Sequence, residues 1–195
     1  MAESRHPIVY LAGPDVFLPA AVAQAEARKA ICRGVGLLAL SPFDPAPGLF
    51  PGASDMPEWQ RIFLANEAHI RTADAVIANL TPFRGPSADP GTVYEIGLAR
   101  GLGKRVFGYS TTTEGFTTRS NHVWGPPQRD PHGVWRDRDG LSIEEFDLFD
   151  NLMLVGGLTV PLIAMQIPEA LRWSDLSVFE RCAAAAAVSL TVLSR

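Results

Sequence analysis

The chain has 195 residues, 47% of them hydrophobic and 19% charged, with a formal net charge of −4. That balance excludes an intrinsically disordered chain and allows one domain with a real core. An acidic surface also argues against a partner held by phosphate neutralisation, so nucleic-acid binding is set aside.

Ile8 to Ala12 is a short apolar run that ends at Gly13-Pro14-Asp15, the pattern of a buried strand entering a loop. Ala20, Ala23, Ala27, Ala30 and Ile31 recur at helical spacing and predict a helix over 20–34. Gly36 to Leu40 reads as a second buried strand, followed by a Pro/Gly-rich loop over 41–57. Trp59, Ile62, Phe63, Ile70 and Ala73 share one helical face. Asp74 to Leu80 is a third strand, Thr81 to Ala88 a loop, and a helix runs from Pro90 to about Leu102. Lys104 to Tyr109 is a fourth strand. This alternation predicts a parallel α/β sheet with helices on both faces. Residues 111–140 carry three Pro, four Gly, four acidic and four basic residues without a period. They read as a loop insertion in a single domain, either a lid or a surface excursion. An apolar segment near Asn151 to Pro161 and a helix from about Leu176 complete the chain.

Two cysteines, Cys32 and Cys182, are too few for a disulfide framework or a four-ligand zinc site; they fit a reducing compartment, with a single disulfide between them as the alternative. The N-terminal stretch does not read as a signal peptide. The longest apolar stretch, Cys182 to Leu193, falls short of the ~20 residues of a bilayer span. A cytoplasmic protein without a membrane partner is expected. His6, His69, His122 and His132 show no metal-ligand spacing with Asp, Glu or Cys, so no metal is expected. The phosphate-binding, dinucleotide-binding and nucleophile-elbow glycine motifs are absent.

In an open parallel sheet the ligand sits beyond the carboxyl ends of the strands. Asp89-Pro90-Gly91-Thr92 opens the third helix there, and Asp89 is either its cap or a member of a site. Gly85 and Gly91 allow close backbone approach to a ligand. Glu95 is either a solvated helix residue or, among Tyr94, Ile96 and Leu98, a desolvated carboxylate with a tuned pKa. Tyr10 is either a core aromatic or a hydroxyl that orients a carboxylate, and Asp74 either a turn residue or a site carboxylate.

Four stretches taken together resemble the nucleoside 2-deoxyribosyltransferase family. They are Ile8 to Phe17, Ala73 to Gly85, Asp89 to Gly97 and Asp150 to Leu154. The resemblance implies a flavodoxin-like fold, a parallel five-stranded sheet with helices on both faces, and a cofactor-free exchange of the base on a 2′-deoxynucleoside. It makes Glu95 the nucleophile, Tyr10 the residue that holds it, and Asp74 and Asp89 acidic pocket residues associated with the nucleobase. Asp74 is counted with the catalytic set. Gly13, Phe17, Arg84, Gly91 and Met153 join Asp89 and Asn151 in substrate binding. Asn151 reaches a neighbouring subunit's site in the family, which implies a homo-oligomer, dimer or hexamer. The partners implied are deoxynucleosides and free nucleobases.

The residue types suit that chemistry. Breaking an N-glycosidic bond builds positive charge at C1′, which a carboxylate stabilises and then traps. Related deoxynucleotide N-glycosidases place a phosphate-contacting serine six residues before the glutamate, where this chain has Asp89. The expectation is therefore nucleosides rather than nucleotides. Ser87 and Arg84 in the same loop keep the 5′-monophosphate, and hydrolysis instead of transfer, as the alternative.

Overall fold

The computed structural model describes residues 5–46, 48 and 55–191. Its strands are β1 (Ile8–Ala12), β2 (Leu38–Leu40), β3 (Ala75–Asn79), β4 (Arg105–Ser110), β5 (Gln128–Arg129), β6 (Trp135–Arg136) and β7 (Ile163–Ala164). Its helices are α1 (Ala21–Gly34), α2 (Glu58–Thr72), α3 (Pro90–Gly101), α4 (Phe116–Trp124), α5 (Leu152–Gly157) and α6 (Ser177–Thr191). Five strands form one parallel sheet in the order β2-β1-β3-β4-β7. The chain leaves β1 to one side for β2 and returns on the other side for β3. The order therefore reverses at β1/β3, the place where such sheets open a ligand crevice.

Strand parity decides which side chains meet which helices. Val9, Leu11, Ala75, Ile77, Phe107 and Tyr109 point to one face and pack with Phe179, Cys182, Ala183 and Ala186 of α6. Tyr10, Ala12, Val76, Ala78 and Val106 point to the other and pack with Ile70, Ile96, Ala99 and Leu154 of α2, α3 and α5. β3 is buried along its whole length, as the continuous apolar run requires of a central parallel strand. The alanines of α6 let it lie close on β3, β4 and β7.

Two sequence expectations change. β2 is an edge strand paired only with β1, so Leu38 is largely exposed while the preceding Leu37 is enclosed. On α2 only the second half of the apolar stripe is covered: Ile70 is buried, as is Ala73 just beyond the helix, but Trp59, Ile62 and Phe63 remain 69%, 51% and 42% exposed. The 41–57 loop lies in part outside the described residues.

Residues 111–140 hold an ordered helix, α4, and the antiparallel β5–β6 hairpin instead of a structureless lid. The Asp130 carboxylate organises that hairpin by accepting the His132 and Val134 amides, each at 2.9 Å, and pairing with Arg136. Turns built by a side chain on its own backbone leave no hydrophobic period in the sequence. Among the described residues no helix is long and apolar enough to cross a membrane.

Candidate active site

α3 starts on Asp89. Its Oδ2 accepts hydrogen bonds from the Thr92 amide (3.0 Å) and the Thr92 hydroxyl (3.1 Å), with Pro90 in the first turn. The cap therefore exists, and it leaves the carboxylate at the carboxyl edge of the sheet. A Cβ on Gly91 would come within 3.0 Å of that same oxygen, so the backbone here runs close beneath Asp89.

Glu95 follows on the side of α3 that faces the sheet. Tyr10 Oη, mid-strand on β1, donates to Glu95 Oε1 at 2.7 Å. Burial pushes the Glu95 carboxyl up to about 7; the Tyr10 hydrogen bond opposes the shift and the charge on Asp89 adds to it. Burial also pushes the Tyr10 phenol far above its ordinary range, with the negative Glu95 adding to the effect, so Tyr10 stays a donor. The fully buried His69 ring lies nearly parallel to Tyr10, at 6.1 Å between centroids, and its Nε2 donates to the Pro45 carbonyl at 3.2 Å. The nucleophile candidate is thus held by a tyrosine that is itself backed by a histidine.

The loop after β1 is shaped by a buried charge. Arg28, enclosed beside Phe179, donates to Asp15 Oδ1 at 2.7 Å, and Asn79 Nδ2 lies 3.1 Å from both oxygens of Asp15. A Cβ at Gly13 would lie 2.6 Å from Asp15 Oδ2 and 2.8 Å from Asn79 Cβ, so only glycine fits. The turn that follows presents Phe17, whose ring stacks on Phe83 at 5.4 Å. The Arg84 guanidinium lies 4.8 Å and 4.6 Å from the two ring centroids, and Trp173 meets Phe83 edge-on at 6.0 Å. Arg84 has φ +54°, a left-handed conformation costly for a residue with a side chain. Phe83, inside the Ala73–Gly85 stretch but not singled out there, and Trp173, which nothing local marks, meet only because two loops come together.

Asp74 requires a correction. It sits at the amino end of β3, where its carboxylate takes both Arg5 Nη groups (2.9 and 2.6 Å) and the Ile8 amide (2.8 Å). Partial burial raises its pKa, but Arg5 and the Ile8 amide outweigh that and hold it below the ordinary carboxylate range. The structure does not bring it to Glu95. It is a clasp that ties the chain's entry into β1 to β3, and it leaves the catalytic set.

Asn151 caps α5, accepting the Met153 amide at 3.0 Å, while its Nδ2 donates to Glu144 Oε1 at 2.6 Å. With Met153 it lines an open groove against Val93, Gly97 and Arg100 of α3. Among the described residues, its side chain bonds none of the Glu95, Tyr10 and Asp89 group. Asn66 was not among the sequence candidates. It interrupts the apolar stripe of α2 one turn before His69 and Ile70, and its Oδ1 is buried with no hydrogen-bond partner among the described residues. A polar residue inside an apolar stripe was the signal available. No group of three or more His, Cys, Asp or Glu among the described residues is arranged to hold a metal.

Sheet order and site together define a flavodoxin-like α/β enzyme with a tyrosine-bound, partly desolvated carboxylate on the helix that follows β3. The model of the nucleoside 2-deoxyribosyltransferase family matches residues 9–153, and the chain belongs to that family. It is 30% identical over 160 residues to an uncharacterised protein of Schizosaccharomyces pombe, covering 77% of this chain and 76% of that one. Among solved structures it is similar to the 2-deoxyribosyltransferase from Leishmania mexicana, at 30% identity and a TM-score of 0.60, over 87% of this chain and 96% of that one. A conserved protein from Enterococcus faecalis shares the fold at 22% identity and a TM-score of 0.50, over 90% of this chain and 98% of that one.

Proposed function

We propose that the chain moves 2-deoxyribose from one nucleobase to another through a covalent intermediate on Glu95. As the N-glycosidic bond lengthens, C1′ gains positive charge and the ionised Glu95 carboxylate bonds to it while the first base departs. A second base then attacks C1′ and frees Glu95, losing a proton that balances the one the first base takes up, and two inversions give net retention. The observation that carries this reading is the 2.7 Å hydrogen bond from Tyr10 to a Glu95 carboxyl pushed up to about 7. Such a group is a poorly solvated anion just above neutrality, matched to a cationic transition state. The aromatic wall of Phe17 and Phe83 suits a flat heterocycle.

Nucleosides fit better than nucleotides. The Ser87 hydroxyl is engaged by Asp150 at 2.5 Å. Asp89 would repel a phosphate by about 4 kcal/mol at ~4 Å and an effective dielectric of ~20. We further propose a homo-oligomer, dimer or hexamer, in which a second copy covers the exposed Trp59, Ile62, Phe63 and Met153 and Asn151 helps complete a neighbour's site. The two free, buried cysteines are compatible with the cytoplasm.

The test is incubation with deoxyadenosine and free cytosine. Deoxycytidine should form, and Glu95→Ala should abolish it. Release of free deoxyribose that cytosine does not suppress would make the chain a hydrolase; no turnover with any of several donor and acceptor pairs would overturn both.

A further inference from the structure

The proposed chemistry leaves one heavily bonded pair unused. Asp150 is 1% exposed and Arg119 5% exposed. Asp150 Oδ1 accepts from Ser87 Oγ (2.5 Å) and the Asn151 amide (2.8 Å); its Oδ2 accepts from the Ala88 amide (3.1 Å) and Arg119 Nη2 (3.3 Å). Arg119, on α4, also donates to the carbonyls of Pro86 (2.6 Å), Phe149 (2.6 Å) and Glu114, and its guanidinium lies 4.4 Å from the Phe149 ring centroid. A buried ion pair offsets its desolvation only where its remaining donors and acceptors are also bonded, as they are here. These bonds converge: Pro86, Ser87 and Ala88 are the three residues immediately before Asp89.

We propose that Arg119 and Asp150 are positioning residues that fix Pro86–Ala88, and through them Asp89 and the first turn of α3, relative to Glu95. The segment over 111–140 is then a buttress and not a lid. Its helix carries the guanidinium, and the residues after it carry the carboxylate, into the loop that ends at the site. This rests on the functional reading above for its consequence in turnover, but its geometry stands without it. The groups facing Glu95 are Tyr10 from β1 and Asp89 at the start of α3, with His69 of α2 behind Tyr10. Of these only Asp89 depends on the pair. Lysine is no substitute for Arg119, because one ammonium cannot span three carbonyls and a carboxylate in a plane.

The experiment compares Ser87→Ala, Ser87→Thr and Arg119→Lys with wild type in two readouts. The first is kcat and KM for base exchange. The second needs no substrate: thermal stability against pH, each variant measured with and without Glu95→Gln, which isolates the Glu95 midpoint. Ser87→Ala and Arg119→Lys are expected to lower kcat about tenfold with KM within about threefold, as small misplacements in a site do. The Glu95 midpoint should fall as Asp89 drifts away. Ser87→Thr, which keeps the hydroxyl, should restore both. Wild-type kcat with an unmoved midpoint in Ser87→Ala overturns the proposal, and so does a lowered kcat with an unmoved midpoint, which marks a general structural effect. If Arg119→Lys fails to fold, Ser87→Ala decides. If wild type turns over nothing, the functional reading fails while the midpoint comparison still decides the positioning.

Discussion

Tyr10→Phe tests the centre of the site. The substitution keeps the ring among its β1, α2 and α3 neighbours and deletes one hydroxyl, the donor that sits 2.7 Å from Glu95. That donor favours the ionised carboxylate against burial and the charge on Asp89. A hydrogen bond to a charged group contributes ~1.5–3 kcal/mol, which at 1.36 kcal/mol per unit is ~1–2 pH units. From about 7, the Glu95 midpoint should rise to about 8–9. At pH 7 the ionised share drops from about a half to between about one in ten and one in a hundred. Exchange at pH 7 should therefore fall ~5- to 50-fold and recover towards pH 9. The assay is the pH profile of kcat/KM, whose acid limb reports the free enzyme. An acid limb that stays in place or moves down would refute the reasoning, because Tyr10 would then not be stabilising the anion.

Asp89→Asn should keep α3 intact, since asparagine caps as well as aspartate, while removing a like charge; the acid limb should move down by up to about one unit in the same pH profile. Glu95→Gln should abolish exchange yet stabilise the fold above neutrality. A carboxyl raised in the folded state from its ordinary value to about 7 loses stability as pH rises between the two. The variant should thus gain up to about 3 kcal/mol at pH 8 relative to its difference at pH 4, read by denaturant unfolding. Asp74→Asn should leave kcat within about twofold and lower Tm at pH 7 by about 2–4 °C for a loss of ~1 kcal/mol. Because Asp74 is held below the ordinary carboxylate range, that stability is present above its unfolded pKa and is lost as pH falls through the folded one, so the two melting curves should converge in acid. A large loss of kcat in Asp74→Asn at neutral pH would return it to the site.

What could be read before any coordinates existed was local. β3 is a run apolar on both faces, α3 announces itself by Asp89 and Pro90, and the short apolar run before Gly13 marks β1. Each is set by backbone chemistry within a few residues, so the sheet class and the loops at its carboxyl edge were legible. Glu95 and Tyr10 were legible as candidates through the family resemblance. Asp74 was legible at the start of β3, and its place in the site came from the family resemblance; what the sequence could not show is that Arg5 and the Ile8 amide, 69 and 66 positions away, take up its carboxylate. As a pair, Arg119 and Asp150 were invisible for a related reason. Their meaning lies in which groups surround them, and Asp150 gathers donors from 62 residues away and from 31. Local pattern is set by dihedral preference and hydrophobic period, which a chain carries in itself. Contact between Tyr10 and Glu95, 85 positions apart, exists only once strand parity and helix packing have brought them to the same face.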